Sequence, residues 1–405
     1  MPGLELFGTE ERSGVNDVLE TGILMRYGFD GPRKGIWKAK ELETAICSVF
    51  GSKYAQLVSS GTAALTTAMA ALGIGYGDEI ILPAFTFVAS FEAVISVGAV
   101  PVFVDIDDTL TLSPEAVRNA ITAKTKCIMP VHMCGSMADM DALMEICKEH
   151  NLILLEDACQ SIGATYKGKK LGTIGDAGTF SFDFVKTITC AEGGAVLTNR
   201  EDLFIKSDGF SDHGHDHAGV DRGGDLHPFV GYNYRISELH AAVGLAQIQK
   251  LDTFLDIQRR NHKSLKEILS EVPEISFRRL PDPQGNSCTF LSWFLPAEDI
   301  TRRVITSLKE QGILAGNFYW FDNNWHYISK WDHLKQATTL HALSAEHKAA
   351  VMFHANKDFS ASHAVMSRCI STSISLLWTE EQIKDKGDKI VNTVKQVLHN
   401  QVVSA

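Results

Sequence analysis

The sequence contains no long apolar run, no closely spaced cysteines and no basic stripe. None of its apolar stretches approaches the roughly 20 residues that a helix needs to cross a bilayer, so we expect no membrane partner. The first twenty residues also lack the basic-then-apolar order of a secretory signal. Eight scattered cysteines without a Cys-x-x-Cys pair predict reduced thiols in a cytoplasmic protein rather than a disulfide framework.

The balance of charge excludes one class of partner. The net charge is −11 over 405 residues, whereas a surface that binds nucleic acid needs a basic stripe. We therefore expect no nucleic-acid partner. The negative total does not exclude an anionic small molecule, because the residues nearest to a site set its field.

What the chain does have is an alternation of short apolar strands with helices. Segments such as "YAQLVSS", "DEIILPAFTF", "VPVFVDID", "TKCIMPVH" and "LILLEDA" are typical of buried strands, and helical patterns separate them. This order predicts an α/β fold with a mainly parallel sheet flanked by helices. From Leu251 onward the pattern becomes a long amphipathic helix, a strand–turn–strand unit and a final helix. We predict a large α/β domain over residues 1–250 and a smaller C-terminal α+β domain over residues 251–405.

A single lysine, Lys186, lies in the otherwise apolar and hydroxyl-bearing run "FSFDFVKTITCAEGG". An apolar setting disfavours the ammonium form, and a neutral amine is a nucleophile that forms Schiff bases with aldehydes. The same lysine could equally serve as a salt-bridged structural residue, so its role depends on its neighbours.

Two further segments favour the catalytic interpretation. Asp157 closes the predicted strand in "LILLEDACQ", where a carboxylate can hold a protonated pyridine nitrogen. In "SSGTAAL", residues 59–65, a turn of small residues opens a helix and offers backbone N–H groups to a phosphate. An aldehyde-binding lysine, a pyridine partner and a phosphate cradle together predict pyridoxal 5′-phosphate (PLP) as cofactor.

At these residues the chain resembles the DegT/DnrJ/EryC1/StrS family of sugar aminotransferases, which are fold-type I PLP enzymes. The resemblance runs over nearly the whole chain and includes "PAFTFVAS", "GDAGTFSFDFVKTITCAEGGAVLTN" and "GYNYRISELHAAVGLAQIQKLD". Some relatives that carry histidine at the lysine position dehydrate sugars instead. Because this chain has Lys186, the resemblance favours transamination.

The resemblance implies a role for each matching residue. Lys186 would bind the cofactor aldehyde and shuttle a proton, and Asp157 would pair with the ring nitrogen. Phe87 would stack on the ring, Gln160 would lie beside it, and Asn233 would reach the phosphate in the neighbouring subunit. That last role implies a homodimer with shared active sites. The phosphate would be held within the chain by Gly61, Thr62 and Ser181.

The stretches "FSDHGHDHAGVDRGG" and "FYWFDNNWHY" are not general motifs of the family. They resemble members that take an amino group from L-glutamate and act on an eight-carbon keto-sugar acid in lipopolysaccharide biosynthesis. The candidate substrate-binding residues are His213, His215, His217, Arg222, Asn324 and His326. The first four are the candidate partners for the substrate carboxylate. The histidine run could suggest zinc if His227 contributed; we predict a polar loop at the mouth of the site and no metal. The aromatic stretch is either a substrate wall or small-domain core.

Two other functions stay open from the sequence. One is amination of a nucleotide-linked 4-keto-6-deoxy sugar, although no base-stacking and diphosphate site is evident. The other is a PLP-binding regulator without catalysis, although no pair of DNA-binding helices is visible.

Overall fold

The computed structural model describes residues 2–219 and 222–402, and a seven-stranded sheet lies at its centre. The strands of these ranges are, in chain order, β1 (Tyr54–Val58), β2 (Glu79–Pro83), β3 (Val100–Val104), β4 (Thr125–Ile128), β5 (Ile153–Asp157), β6 (Thr165–Tyr166), β7 (Lys169–Lys170), β8 (Ala177–Ser181), β9 (Gly194–Thr198), β10 (Ser276–Phe277), β11 (Phe290–Phe294), β12 (Asn317–Phe318) and β13 (Cys369–Ser373).

Helices connect most of these strands. They are α1 (Pro2–Glu5), α2 (Thr9–Thr21), α3 (Asp30–Arg33), α4 (Lys38–Phe50), α5 (Gly61–Ala71), α6 (Val88–Ser96), α7 (Pro114–Ala120), α8 (Met140–His150), α9 (Glu201–Ser211), α10 (Glu238–Gln249), α11 (Leu251–Leu269), α12 (Glu298–Glu310), α13 (Asp332–Lys335), α14 (Ala345–Ala355), α15 (Ser360–Met366) and α16 (Glu380–Val402). Short 3₁₀ turns span Met133–Gly135, Pro283–Gly285, Trp320–Asp322 and Ile328–Lys330.

The central sheet has the order β1-β9-β8-β5-β4-β2-β3. Strand β9 pairs antiparallel with both of its neighbours, and the other neighbouring strands pair parallel. Six strands therefore point the same way and end at one edge of the sheet. Loops that follow the ends of such strands meet at this edge, which is where open α/β sheets bind ligands.

Apolar residues cover both faces of the sheet. One hydrophobic cluster contains Phe85, Phe91 and Trp331, and a second contains Ile46 and Phe180. The strands are almost continuous apolar runs because both of their faces are buried. Local signals define the helices: Ser60 caps α5 by accepting a hydrogen bond from the Ala63 N–H at 3.0 Å.

A second, smaller sheet has the order β10-β11-β13-β12 and is antiparallel throughout. Helices α11, α12 and α16 pack around it and share a hydrophobic cluster that includes Trp293 and Val304. Helix α11 buries residues at helical spacing, Phe254, Leu255, Leu265 and Leu269 among them. The predicted α/β fold with a smaller C-terminal α+β domain is confirmed; the division at residues 250 and 251 stays a prediction.

Two strands are shorter than the sequence pattern predicts. The run "DEIILPAFTF" forms a strand only up to Pro83, because the backbone then leaves the sheet and pairs with residues 325–328. The run "TKCIMPVH" ends as a strand at Ile128, two residues before Pro130, which cannot donate a ladder hydrogen bond. In the described residues, no helix combines the length and the apolar character needed to traverse a bilayer.

Candidate active site

The candidate site lies at the edge where the parallel strands end. Strand β1 leads into the Ser59–Gly61 turn, β5 ends at Asp157, and β8 ends at Ser181, five residues before Lys186. Strand β9 runs the opposite way, so its first residue, Gly194, pairs with both Val58 and Ser181 at this edge. The topology therefore brings together residues that lie more than a hundred positions apart in the chain.

Small residues keep the turn before α5 open. A Cβ atom added at Gly61 would lie 2.7 Å from the Cβ of Ser181 and 3.3 Å from the Sγ of Cys159. A Cβ atom at Gly194 would lie 2.3 Å from the Ser60 carbonyl oxygen. Glycine at both positions lets β9 and β8 approach the start of α5. The first N–H groups of a helix have no partner within it, so Gly61 and the exposed Thr62 can offer theirs to an anion.

Asp157 is buried, and its two carboxylate oxygens have different partners. Oδ1 accepts a hydrogen bond from the Cys159 N–H at 3.2 Å, and Oδ2 accepts one from the Ser90 hydroxyl at 2.8 Å. The Ser90 oxygen lies 2.7 Å from the hydroxyl of Thr86. Since Ser90 uses its only proton on Asp157, Thr86 must donate to Ser90. This chain of hydroxyl groups fixes the orientation of the carboxylate.

Lys186 follows a turn in which its backbone N–H donates to the Asp183 carbonyl at 3.0 Å. Its Nζ lies 6.0 Å from the centre of the Phe87 ring. Phe87 is the residue before α6, on the loop that leaves β2. The structure thus brings the predicted Schiff-base lysine close to the predicted stacking ring.

Gln160 and Cys159 lie just beyond Asp157. The Oε1 of Gln160 accepts a hydrogen bond from the Cys134 N–H at 3.2 Å. Burial, followed by the nearby charge of Asp157, raises the pKa of the Cys159 thiol well above its usual value. Cys159 therefore stays a thiol and fills space beside Gly61. Cys190 is buried elsewhere, and its Sγ would lie 2.3 Å from a Cβ atom added at Gly244, so it serves packing.

The aromatic stretch 318–327 lies directly on the loop that carries Phe87. Thr86 donates its N–H to the His326 carbonyl at 3.0 Å, and Val88 donates to the Trp325 carbonyl at 2.9 Å. The ring centres of Phe87 and His326 are 5.3 Å apart. Trp320 is buried, whereas Trp325 is 59% exposed. One half of the stretch is therefore core and the other half lines the site.

Asn324 and Asn323 have different environments within this stretch. The Asn324 carbonyl accepts a hydrogen bond from the Trp331 indole at 2.9 Å, and its side chain is exposed. The Oδ1 of Asn323 accepts hydrogen bonds from the Trp325 N–H at 2.8 Å and from Nδ1 of His326 at 3.0 Å. Asn323 therefore shapes the loop, and Asn324 is the residue whose amide group stays at the surface.

Asn233 is exposed on a segment that returns to the cradle. Its neighbour Tyr234 accepts a hydrogen bond from the Ser59 N–H at 2.7 Å, and Asn233 itself forms a bridge with Asp212. The predicted phosphate contact of Asn233 in a neighbouring subunit stays a prediction. The structure places the residue beside the turn that opens α5.

Asp212 is the centre of a dense ionic cluster. It is buried and pairs with Arg222 at 2.5 and 2.9 Å, with His217 at 3.0 Å and with Arg235. Despite its burial, these three cations hold the pKa of Asp212 far below its usual range. We call Asp208, Asp212, His217, Arg222 and Arg235 the Asp212 cluster.

His217 lies between two carboxylates of this cluster. Its Nδ1 is 2.6 Å from Asp208, its Nε2 is 3.0 Å from Asp212, and its ring stacks on Tyr27 at 4.2 Å. Burial opposes the charged ring, but the two carboxylates outweigh it and raise the pKa of His217 to about 9. The ring therefore carries both protons and donates to both acids.

The other candidates of the polar loop differ in their contacts. His215 is buried, with Nδ1 3.1 Å from Asp225 and Nε2 3.0 Å from Arg222. His213 is exposed, with a φ of +57°. Three of the four predicted partners for a substrate carboxylate thus contact charged groups of the protein itself. Within residues 2–219 and 222–402, no group of three or more His, Cys, Asp or Glu side chains could hold a metal.

Sequence reasoning did not find Ser90 and Thr86, which hold Asp157 from another strand–helix loop. The signal was present in "PAFTFVAS", where residues 86 and 90 are four positions apart. Thr86 lies just before α6 and Ser90 in its first turn, so a pair of hydroxyl residues on either side of the helix start is the signal.

These residues fit PLP. The glycine-lined cradle suits its phosphate, the buried Asp157 carboxylate suits its pyridine nitrogen, and Lys186 suits its aldehyde. Fold and site together define a PLP-dependent enzyme of fold type I. The model of the DegT/DnrJ/EryC1/StrS aminotransferase family matches residues 8–362, so the chain belongs to this family and is a PLP-dependent aminotransferase.

Solved structures agree with this assignment. A 3-amino-5-hydroxybenzoic acid synthase is 29% identical, with 98% of each chain covered and a TM-score of 0.80. An aminotransferase from Psychrobacter cryohalolentis is 27% identical, with 98% of each chain covered and a TM-score of 0.83. A GDP-4-keto-6-deoxy-D-mannose-3-dehydratase from E. coli with bound hydrated PLP is 23% identical over 96% of this chain and 98% of its own, with a TM-score of 0.77. This last likeness is one of fold.

Proposed function

We propose that the chain transfers the amino group of L-glutamate to C8 of 8-oxo-3-deoxy-manno-octulosonate. This is the activity of an 8-amino-3,8-dideoxy-manno-octulosonate transaminase, which would serve lipopolysaccharide biosynthesis in the cytoplasm. The observation that carries the proposal is the position of residues 318–327. This stretch, on which the narrower resemblance rests, lies on the Phe87 loop beside Lys186.

Bound PLP supplies an aldehyde and an electron-accepting ring. Lys186 provides the amine that binds the aldehyde and moves a proton at the reacting carbon. Asp157, oriented by Ser90, provides the charge that keeps a proton on the ring nitrogen. Gly61, Thr62 and Ser181 would hold the phosphate, and Phe87 would hold the ring by stacking, which is worth about 0.5–1.5 kcal/mol beyond burial.

The carboxylate of an acidic sugar needs a cation or N–H donors, since burying it unpaired is costly. Arg222, His215 and His217 contact charged residues of the protein, and His217 and Arg222 neutralise Asp212. The exposed His213 is the loop histidine whose ring has no recorded partner within residues 2–219 and 222–402. We therefore assign the substrate carboxylate to His213 and the backbone around it, with the Asp212 cluster as support.

The proposal includes a homodimer with shared sites. Phe184, just before Lys186, is 52% exposed, and Val230 and Tyr232, just before Asn233, are 83% and 50% exposed. Exposed apolar groups beside a site mark a surface that another protein covers. A second copy of the chain would cover these residues and bring its Asn233 to the cradle.

The test compares two keto sugars on purified enzyme loaded with pyridoxamine phosphate. Recovery of the PLP absorbance with 8-oxo-3-deoxy-manno-octulosonate, and slow or no recovery with a nucleotide-linked 4-keto-6-deoxyhexose, is the expected result. A site that pairs the sugar carboxylate rejects strongly a sugar that lacks this group, because its polar groups are then unpaired. Recovery with the nucleotide sugar alone would overturn the proposed substrate. Binding of PLP without any spectral change on adding L-glutamate would identify a non-catalytic protein.

A further inference from the structure

His326 lies at the point where the aromatic stretch meets the reacting lysine. Its ring centre is 4.5 Å from that of Trp320 and 5.3 Å from that of Phe87, whose own centre is 6.0 Å from Nζ of Lys186. The structure fixes more than the position of this ring, because the contacts of Asn323 also determine which ring nitrogen carries the proton.

The first step is the orientation of the Asn323 amide. The side-chain oxygen Oδ1 of Asn323 lies 2.8 Å from the backbone nitrogen of Trp325. A backbone N–H can only donate, so the atom that faces it must be an acceptor. The flipped amide would place two donors against each other. The oxygen of Asn323 is therefore assigned by chemistry as well as by position.

The second step is the tautomer of His326. The same Asn323 oxygen lies 3.0 Å from Nδ1 of His326, so Nδ1 must carry a proton and donate it. Burial, followed by the positive charge of Lys186, lowers the pKa of His326 to about 3. The ring is thus neutral, and Nε2 has a lone pair. Across residues 2–219 and 222–402, no group is recorded within hydrogen-bond distance of Nε2.

We propose that Nε2 of His326 accepts a hydrogen bond from a hydroxyl of the keto-sugar substrate. His326 then helps one active site to distinguish the sugar from L-glutamate, which binds there in turn. A bare lone pair repels a carboxylate and attracts a hydroxyl proton. The sugar carries several hydroxyl donors, whereas the one donor group of L-glutamate is the amino group that it gives up. This inference rests on the proposed transfer between those two classes of substrate.

Two variants test it. His326→Phe keeps an aromatic ring and removes the acceptor. Asn323→Asp keeps the shape of the loop but adds a carboxylate beside Nδ1, which favours the doubly protonated ring and turns Nε2 into a donor. The matched control is Asn199→Asp, which makes the same charge change at the far end of β9, where Oδ1 accepts from the Lys53 N–H.

The measurement is single-turnover kinetics of the two half-reactions. In both variants we expect the half-saturating concentration of 8-oxo-3-deoxy-manno-octulosonate to rise about tenfold, as for one lost hydrogen bond with an unpaired group left behind. The half-saturating concentration of L-glutamate should change by less than about twofold. Asn199→Asp should match wild type in both half-reactions. Equal losses in both half-reactions, or normal sugar saturation in both variants, would overturn the proposal.

A second measurement does not depend on turnover. Nitrogen-15 NMR of histidine-labelled protein, with and without PLP, should show His326 protonated at Nδ1 and bare at Nε2 at neutral pH. Protonation at Nε2 instead would overturn the proposal. If wild type rejects the octulosonate but accepts the nucleotide-linked 4-keto sugar, the proposed substrate fails. The same comparison with that sugar then decides the role of His326.

Discussion

The hydroxyl group of Ser90 donates a 2.8 Å hydrogen bond to Oδ2 of Asp157, and both residues are buried. Hydrogen bonds to charged groups are worth about 1.5–3 kcal/mol. Ser90→Ala should therefore leave Asp157 less well oriented and lower turnover about tenfold or more. Weaker PLP binding, measured by fluorescence titration of the cofactor-free protein, should accompany the loss.

Two controls separate this role from a general loss of packing. Ser90→Thr keeps the hydroxyl and should restore most of the PLP affinity and turnover. Ser207→Ala removes a buried hydroxyl that has no recorded partner in the described residues, and it should behave like wild type. If Ser90→Ala binds PLP normally and turns over normally, Ser90 does not position Asp157.

Lys186→Ala should remove the amine that we propose binds the cofactor aldehyde. Steady-state turnover should be lost, because no other group can both release and recapture the cofactor. Borohydride reduction should fix PLP to wild type, and mass spectrometry should find the label on Lys186. Reductive labelling of any other lysine would contradict the assignment.

The Asp212 cluster predicts a pH dependence of stability. His217 has its pKa raised from the usual 6.5 to about 9. A group whose pKa is higher in the folded state stabilises it fully below its unfolded pKa. Its contribution should thus be complete below pH 6.5 and disappear as the pH rises through about 9. The facing groups Asp208 and Asp212, both with lowered pKa values, stay ionised over this window.

The measurement is the melting temperature of the PLP-loaded enzyme on either side of that window. The decrease between low and high pH should be larger in wild type than in His217→Gln, whose amide does not titrate. The pKa of His215 is lowered, first by burial and then by Arg222, so its titration moves away from this window towards lower pH. The same decrease in both proteins would show that His217 is not charged in the folded state.

The sequence predicted the fold because the strand pattern and the helix signals agree with it. Residues 54–58 and 153–157 are apolar runs of strand length, and Ser60 supplies a helix cap. Asp157 was predicted from its place at the end of a strand, Gly61 from the small-residue turn that opens a helix, and Lys186 from its apolar surroundings. The ends of parallel strands necessarily meet at one edge of the sheet.

The sequence could not predict how side chains pair across distant loops. The run "DHGHDH" does not show that His217 and Arg222 both pair with Asp212. Arg235 and Asp208, which complete the Asp212 cluster, also lie outside this run. The sequence likewise could not predict that the rings of His326 and Phe87 lie close together. Their loops lie 239 positions apart, and only the backbone pairing of residues 84–88 with 325–328 joins them.

The last prediction concerns which subunit's phosphate cradle Asn233 serves. It is exposed, and it adjoins Tyr234, which binds Ser59 at the cradle of its own chain. A shared site requires instead that Asn233 serve the cradle of the second subunit. We expect Lys186→Ala and Asn233→Ala each to be severely impaired alone. Mixed dimers should contain one site with Lys186 from one chain and Asn233 from the other.

Random exchange between equal amounts of the two variants makes half of the dimers mixed, and each mixed dimer holds one intact site of two. Turnover should therefore reach about a quarter of the wild-type value. If Asn233 serves its own chain, every site in a mixed dimer carries one of the two lesions, and mixing restores nothing. Activity per milligram after exchange, with unmixed parents as controls, decides between the two. A protein that sediments as a monomer at working concentration would also contradict a shared site, because Asn233 could then not reach a second subunit.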